Sequence, residues 1–225
     1  MWAEHLEPLA GAGYRVVAVD LPGFGDAPAE ATPPWSAVVA TLDELGIERA
    51  ALVGNSFGAG VALRTAVVGP ERVSALVLVS ALAPGREPSD QLTAAWEAET
   101  AAFESDDIEA ALQAVVEAWT LPDATPELRD RIATMQRRVY ELDEPDLPQP
   151  TDPLDQDPAA VQALTTPTLI LFGEHDMPDF RDGAVELANQ ISGSRLAVLD
   201  GAGHLAPLET PRSFREHVLG FLKDG

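Results

Sequence analysis

The chain has 225 residues, 46% of them apolar and 23% charged, close to the make-up of an ordinary globular protein and long enough to bury a full core. It has no cysteine, which excludes disulfides, thiolate metal sites and cysteine nucleophiles. Its 37 acidic and 14 basic residues leave a net charge of −23, the opposite of the basic footprint that a nucleic-acid binder needs, and no apolar run approaches the length that spans a bilayer.

Five short apolar runs read as strands: Val16–Asp20, Ala50–Gly54, Ala75–Ser80, Thr168–Gly173 and Arg195–Asp200. They are apolar nearly throughout, the pattern of strands covered on both faces. Trp35–Leu45 places Val38, Val39, Leu42 and Leu45 on one helical face and stops at Gly46. The stretch after Ser56 reads as a helix to about Val68, and Pro211 to Leu222 as a closing amphipathic helix. Strand and helix in alternation predict an α/β fold with a mostly parallel sheet of about five strands, flanked by helices.

Residues 84–165 interrupt the alternation. Helices are expected over about Ser89–Phe103, Asp107–Trp119 and Pro126–Tyr140, the third with Thr125 as its cap. The middle one is the most regular: Ile108, Ala111, Leu112, Val115, Val116 and Trp119 fall on one face. A proline-rich stretch (Pro145, Pro148, Pro150, Pro153, Pro158) is expected to be irregular. The block holds 19 acidic and 5 basic residues, a net −14, and reads as a helical insertion into a core made of 1–83 and 166–225.

Gly54-Asn55-Ser56-Phe57-Gly58 lies where a strand passes into a helix, the context in which G-x-S-x-G carries meaning. So tight a turn strains the backbone, exposes the serine hydroxyl, and aims the Phe57 amide at the place where an oxyanion would form. A serine nucleophile needs a base, itself oriented by an acid. His204, in a loop just after Arg195–Asp200, is the candidate base. His5 and His217 lie on helix-like surfaces and read as solvated, while His175 sits beside the acid candidates. Those are Asp176 and Asp179 after the strand Thr168–Gly173, with Glu174 third. The order serine, acid, histidine is then Ser56, Asp176, His204, all at C-terminal ends of strands, where open parallel sheets place their sites. Gly23-Phe24-Gly25 fails as a dinucleotide fingerprint, because position 28 is proline. His175 with Asp176, Asp179 and Asp182 lacks a second histidine at metal-ligand spacing. No cofactor or metal is expected.

With these residues in place the chain resembles the α/β-hydrolase superfamily along nearly its whole length. Asp20-Leu21-Pro22-Gly23-Phe24-Gly25 resembles the turn after that family's fourth strand, and Gly54 to Gly58 its nucleophile elbow. Pro70-Glu71-Arg72-Val73 resembles the lead into the sixth strand. Pro167 through Asp176 resembles the acid strand and loop; Gly203-His204 with Leu208-Glu209 and Pro211 resembles the histidine loop and final helix. Residues 84–165 stand where the family carries its cap, with Trp96, Phe103, Trp119 and Tyr140 as candidate liners that read more readily as packing residues.

The resemblance implies a cytoplasmic serine hydrolase that takes a small-molecule ester, lactone or related acyl substrate, with Ser56, Asp176 and His204 catalytic and Phe57 in the oxyanion hole. It needs no nucleic-acid or membrane partner. Asn55 is also seen in the family's carbon–carbon bond hydrolases, which tend to carry tryptophan where Leu205 stands here. A non-catalytic ligand-binding protein of the same fold is the third reading. The resemblance begins late: a segment with three strands and a His-Gly type loop would precede the helix that Trp2–Leu9 resembles. An N-terminally truncated fold is therefore expected, in which Val16–Asp20 and Ala50–Gly54 either close up or leave a gap, and in which the second oxyanion donor is missing. Loss of one such donor typically costs about 2.7–4 kcal/mol in transition-state stabilisation.

Overall fold

The computed structural model describes residues 1–144, 146–148 and 150–224. Four strands form one parallel sheet: β1 (Ala50–Asn55), β2 (Val73–Val79), β3 (Thr168–Gly173) and β4 (Arg195–Leu199), side by side in chain order. Each is short and apolar, and the central pair is covered on both faces, so Leu76, Val77, Leu78, Val79, Ile170 and Leu171 are completely buried. In register, Asn55 lies opposite Val79, Val79 opposite Leu171, and Gly173 opposite Leu199. The C-terminal ends of all four strands therefore come level at one edge of the sheet.

Alternation along β2 sorts the core into two layers. Leu76 and Leu78 face α3 (Phe57–Val68) and α8 (Pro178–Gln190). Val77 and Val79 face the other way, onto α1 (Ala3–Gly11) and α10 (Pro211–Asp224), which follows the short α9 (Ala206–Glu209), and there Phe214, Val218 and Phe221 complete the packing. The helix α2 (Pro34–Glu44) starts with proline in its first turn and ends just before Gly46, as its sequence pattern predicts. No pattern in the sequence analysis identified α8, although Pro178 opens it and Phe180, Ala184 and Leu187 line its buried face.

Between β2 and β3 run α4 (Asp90–Glu104), α5 (Ile108–Trp119), α6 (Pro126–Glu141) and the short α7 (Pro153–Gln156). Their starts follow capping chemistry: Ser89, Asp107, Thr125 and Asp152 each accept a main-chain N–H of the first turn. The proline-rich stretch is less irregular than expected. Pro153 opens α7 and Pro158 opens a 3₁₀ turn, Pro158–Ala163, because a proline at the first helical position forfeits no hydrogen bond. Pro145 lies outside the described residues.

One expected strand is absent. Val16–Asp20 forms no strand and pairs with no strand among the described residues, and Val17 is 44% exposed. The reason is geometric: a cavity of about 1340 Å³ opens between this run and β1, lined on one side by Val16–Asp20 and on the other by Ala50–Val53. With no neighbour within hydrogen-bonding reach, an apolar run cannot become a sheet strand, whatever its β-propensity. The gap outcome, not the closed one, is what the fold adopts. No described helix is long and apolar enough to cross a membrane.

Candidate active site

The site begins with the turn between β1 and α3. Ser56 has φ 53° and ψ −119°, a conformation that L-residues rarely adopt and that persists only where the surroundings enforce it. They do so from both sides. The Ser56 N–H donates to the Val79 carbonyl of β2 at 2.9 Å, and its own carbonyl accepts Ala59 and Gly60 of the first turn of α3. Gly54 lies so close to the Gly58 main chain that any β-carbon there would collide with it. The turn can therefore close only on glycine. Phe57 opens α3, so its N–H has no intrahelical acceptor and is free to serve an oxyanion, aided by the helix dipole.

The loops that carry Asp176 and His204 are built the same way. His204 follows β4, and the Gly203 N–H before it donates to Glu209 Oε2 at 2.7 Å. The His175 N–H reaches across to the Ala202 carbonyl at 2.8 Å, clamping the loop after β3 to the loop after β4. These contacts bring His204 Nε2 to 2.8 Å from Ser56 Oγ and His204 Nδ1 to 3.0 Å from Asp176 Oδ1. Asp176 and His204 are 4% and 5% exposed, and Asp176 Oδ1 also accepts the Met177 N–H. Of the three acid candidates, Asp176 alone meets the histidine. Asp179 is turned away, accepting both the N–H and the hydroxyl of Ser89 at 2.7 and 2.6 Å. Glu174 accepts the Gly201 N–H and lies 3.6 Å from His175.

Aromatic rings close the site around the imidazole. The Trp119 and Phe180 rings lie 4.6 and 4.2 Å from that of His204, centroid to centroid. Of the four aromatic candidates, only Trp119 stands beside the site. Phe103 packs on Tyr140, whose hydroxyl donates to Glu99, and Trp96 is 40% exposed. Phe180 was missed because its segment was not read as a helix; aromatic and acid on one helical turn after the acid strand was the signal available.

Three further side chains depart from expectation or add to it. His5 is buried and not solvated: it packs between Trp2 and Phe214, and its Nε2 pairs with the Pro207 carbonyl at 3.0 Å. One face of α1 lies against α10 and the loop after His204, and no solvated surface remains there. Burial pushes its pKa down, against the pull of that carbonyl. Asn55 is buried next to the serine with neither amide atom hydrogen-bonded to protein. Glu209 is drawn up by burial, partly offset by the Gly203 N–H. Among the described residues no three acidic or histidine side chains converge as metal ligands.

The hydroxyl, imidazole and carboxylate thus form a continuous chain from the cavity, which Ser56, Phe57 and His204 line, into the interior. Such a chain can move a proton off the serine and hold the resulting imidazolium.

The sequence profile of the Alpha/beta hydrolase family matches residues 1–217. The chain is 32% identical to 2-hydroxy-6-oxononadienedioate/2-hydroxy-6-oxononatrienedioate hydrolase 2 of Pseudomonas putida, over 99% of this chain and 82% of the relative. It is 33% identical to 2-hydroxymuconate semialdehyde hydrolase of Pseudomonas sp. strain CF600, over 93% and 77% respectively. Among solved structures it superposes on Est816, an N-acyl homoserine lactone degrading enzyme, with a TM-score of 0.76 at 26% identity, covering 98% of this chain and 87% of that one. The parallel sheet, the turn at Ser56 and these matches together make the chain a member of the alpha/beta hydrolase family, and a hydrolase.

Proposed function

We propose that this hydrolase cleaves a small ester, lactone or related acyl substrate through an acyl-enzyme on Ser56. The observation that carries this reading is the pair of contacts on one imidazole: 2.8 Å to Ser56 Oγ and 3.0 Å to Asp176 Oδ1. His204 takes the hydroxyl proton as Ser56 attacks the carbonyl, and the new oxyanion accepts the Phe57 N–H. The imidazolium, held by Asp176, then protonates the leaving group. Water, deprotonated by the same histidine, releases the acid and restores the serine. Residues 84–165 act as a cap, with Trp119 turned onto the imidazole to keep bulk water from it.

A second reading is cleavage of a carbon–carbon bond beside a ketone. The two relatives at 32% and 33% identity are named for oxo- and semialdehyde-bearing acids, which contain no ester. Asn55 adds support, since its buried and unpartnered amide beside the serine suits a substrate with a second oxygen function. Leu205 in place of a tryptophan, and the net −14 of the cap facing a dianionic substrate, weigh towards the acyl reading.

A fluorophosphonate probe tests the shared chemistry. The expected result is one stoichiometric adduct on Ser56, absent in Ser56→Ala; absence of an adduct on the wild-type chain would overturn the reading of Ser56 as nucleophile. Turnover of p-nitrophenyl esters against a 2-hydroxy-6-oxo-hexadienoate separates the two substrate classes.

A further inference from the structure

Two residues of one short stretch bring the helical insertion onto the loop of His204. Trp119 ends α5 and lies on the imidazole, with 4.6 Å between the ring centroids. Thr120 after it is extended, with φ −117° and ψ 153°, so Leu121 falls on the same side of the chain as Trp119. Leu121 packs on the main chain of Gly203, where a β-carbon would stand only 2.9 Å from its Cδ2. One residue of the stretch thus covers the base, and the other covers the residue before it.

The shape of this stretch is held by Arg129. Its Nη2 donates to the carbonyls of Leu121 and Pro122 at 3.1 and 3.2 Å, and its Nε to that of Ala124 at 3.3 Å. A guanidinium suits the task, since its donors lie in one rigid plane and can serve several carbonyls together. Two observations set Arg129 apart from ordinary surface charge. It lies four residues into α6, near the helix end that favours anions, so its own helix gains nothing from it. Arg131, Arg137 and Arg138 of the same helix each pair with a carboxylate, whereas among the described residues Arg129 pairs with none, although 19 acidic residues share its block.

We propose that Arg129 is a positioning residue for the reaction: by fixing the carbonyls of Leu121, Pro122 and Ala124 it holds Trp119 on His204 and Leu121 on Gly203. The imidazole is thereby kept in line between Ser56 and Asp176 and closed to bulk water. Arg129 itself touches neither the nucleophile nor the base, and acts only through the two apolar side chains. The inference rests on His204 as the base of the proposed hydrolysis.

Diethyl pyrocarbonate, which acylates accessible imidazoles, tests this on the intact chain, with each histidine followed by peptide mass spectrometry. The other histidines serve as internal standards: the His175 side chain is 54% exposed, and His5 is buried against Phe214 of α10. Arg129→Ala should speed the reaction of His204 about tenfold and leave that of His5 unchanged, as a local opening does and a general loosening does not. Arg129→Lys, with one compact donor in place of the fork, should fall between. In the folded Arg129→Ala chain kcat should drop about tenfold with KM near wild type, the mark of a displaced base. Leu121→Ala keeps the three bonds of Arg129 and removes only the contact with Gly203; it should also speed His204, and it decides the matter if Arg129→Ala does not fold. An unchanged His204 rate in either variant, a rise at His5 in step with His204, or an unchanged kcat in folded Arg129→Ala would overturn the proposal. Failure of the fluorophosphonate to label Ser56 would instead overturn the hydrolytic reading, and the histidine rates would still decide whether Arg129 closes the site.

Discussion

Gly173, the last residue of β3, lies so close to the carbonyl of Gly203 that a β-carbon would overlap it and the neighbouring Ala202 main chain. The strand that leads to Asp176 and the loop that carries His204 are thus in backbone contact, with no side chain between them. This contact sets the span over which Asp176 and His204 meet.

Gly173→Ala is therefore expected to separate the two loops. Overpacking of this kind costs about 1–3 kcal/mol of stability, which urea denaturation reads directly. The catalytic effect should be the larger one, since a shift of about 1 Å at a reacting centre can cost on the order of 10²-fold. kcat should fall while KM stays near wild type. A variant with the full stability loss and unchanged kcat would show that the contact supports only the fold.

The two aspartates that follow β3 should separate cleanly. Asp176→Asn keeps the shape but removes the charge that holds the imidazolium, and turnover should fall by roughly 10⁴-fold with little change in stability. Asp179→Asn breaks the bonds that tie the start of α4 to α8 through Ser89, where a hydrogen bond to a charged group is worth about 1.5–3 kcal/mol. It should cost stability and spare most of kcat. The opposite pattern would exchange their roles.

These two residues also mark how far the sequence alone could be read. Spacing placed Asp176 and Asp179 three residues apart after one strand, and both remained candidates. Their difference comes from Ser89, 90 residues away in sequence, whose approach no local pattern encodes. Ser56 could be read from a strand-to-helix turn whose closure demands glycine at Gly54, and His204 from its place after a strand end, while His175, which also follows a strand end, was set aside because it sits beside the acid candidates. Val16–Asp20 failed for the converse reason. Its composition is that of a strand, but a strand is defined by its neighbour, and the residues beside it belong to a cavity. His5 failed similarly, since burial on α1 depends on packing against Phe214 and Pro207 more than 200 residues on.

Acid should act on the fold through His5. Burial lowers its pKa below the ordinary value of 6.5, so the unfolded chain binds a proton that the folded chain excludes. The sign follows: the stability is fully present above about pH 6.5 and is lost as pH falls through that value towards the folded pKa. A single such proton changes stability by at most about 1.4 kcal/mol per pH unit. Melting temperature followed from pH 7.5 to 5 should fall, and His5→Gln, which cannot take up the proton, should flatten the slope. An unchanged slope would place the acid sensitivity elsewhere.

Asp179 predicts a second, lower transition. Burial raises its pKa, but the hydroxyl and N–H of Ser89 outweigh that and hold it below the usual carboxylate value. Its contribution is present above about pH 4 and is lost as pH falls further, when the carboxylate must take a proton and surrender an acceptor. Ser89→Ala removes the hydroxyl but leaves the main-chain donor, so it should raise the pH of this transition without abolishing it. Asp179→Asn should abolish it. The two acid transitions, one below about pH 6.5 from His5 and one below about pH 4 from Asp179, should then respond independently, because their partners lie on different elements: Pro207 after His204 for the first, Ser89 at the start of α4 for the second. Melting curves of the double variant that equal the sum of the single effects would establish that independence, and a shortfall would mean that the two regions unfold as one unit.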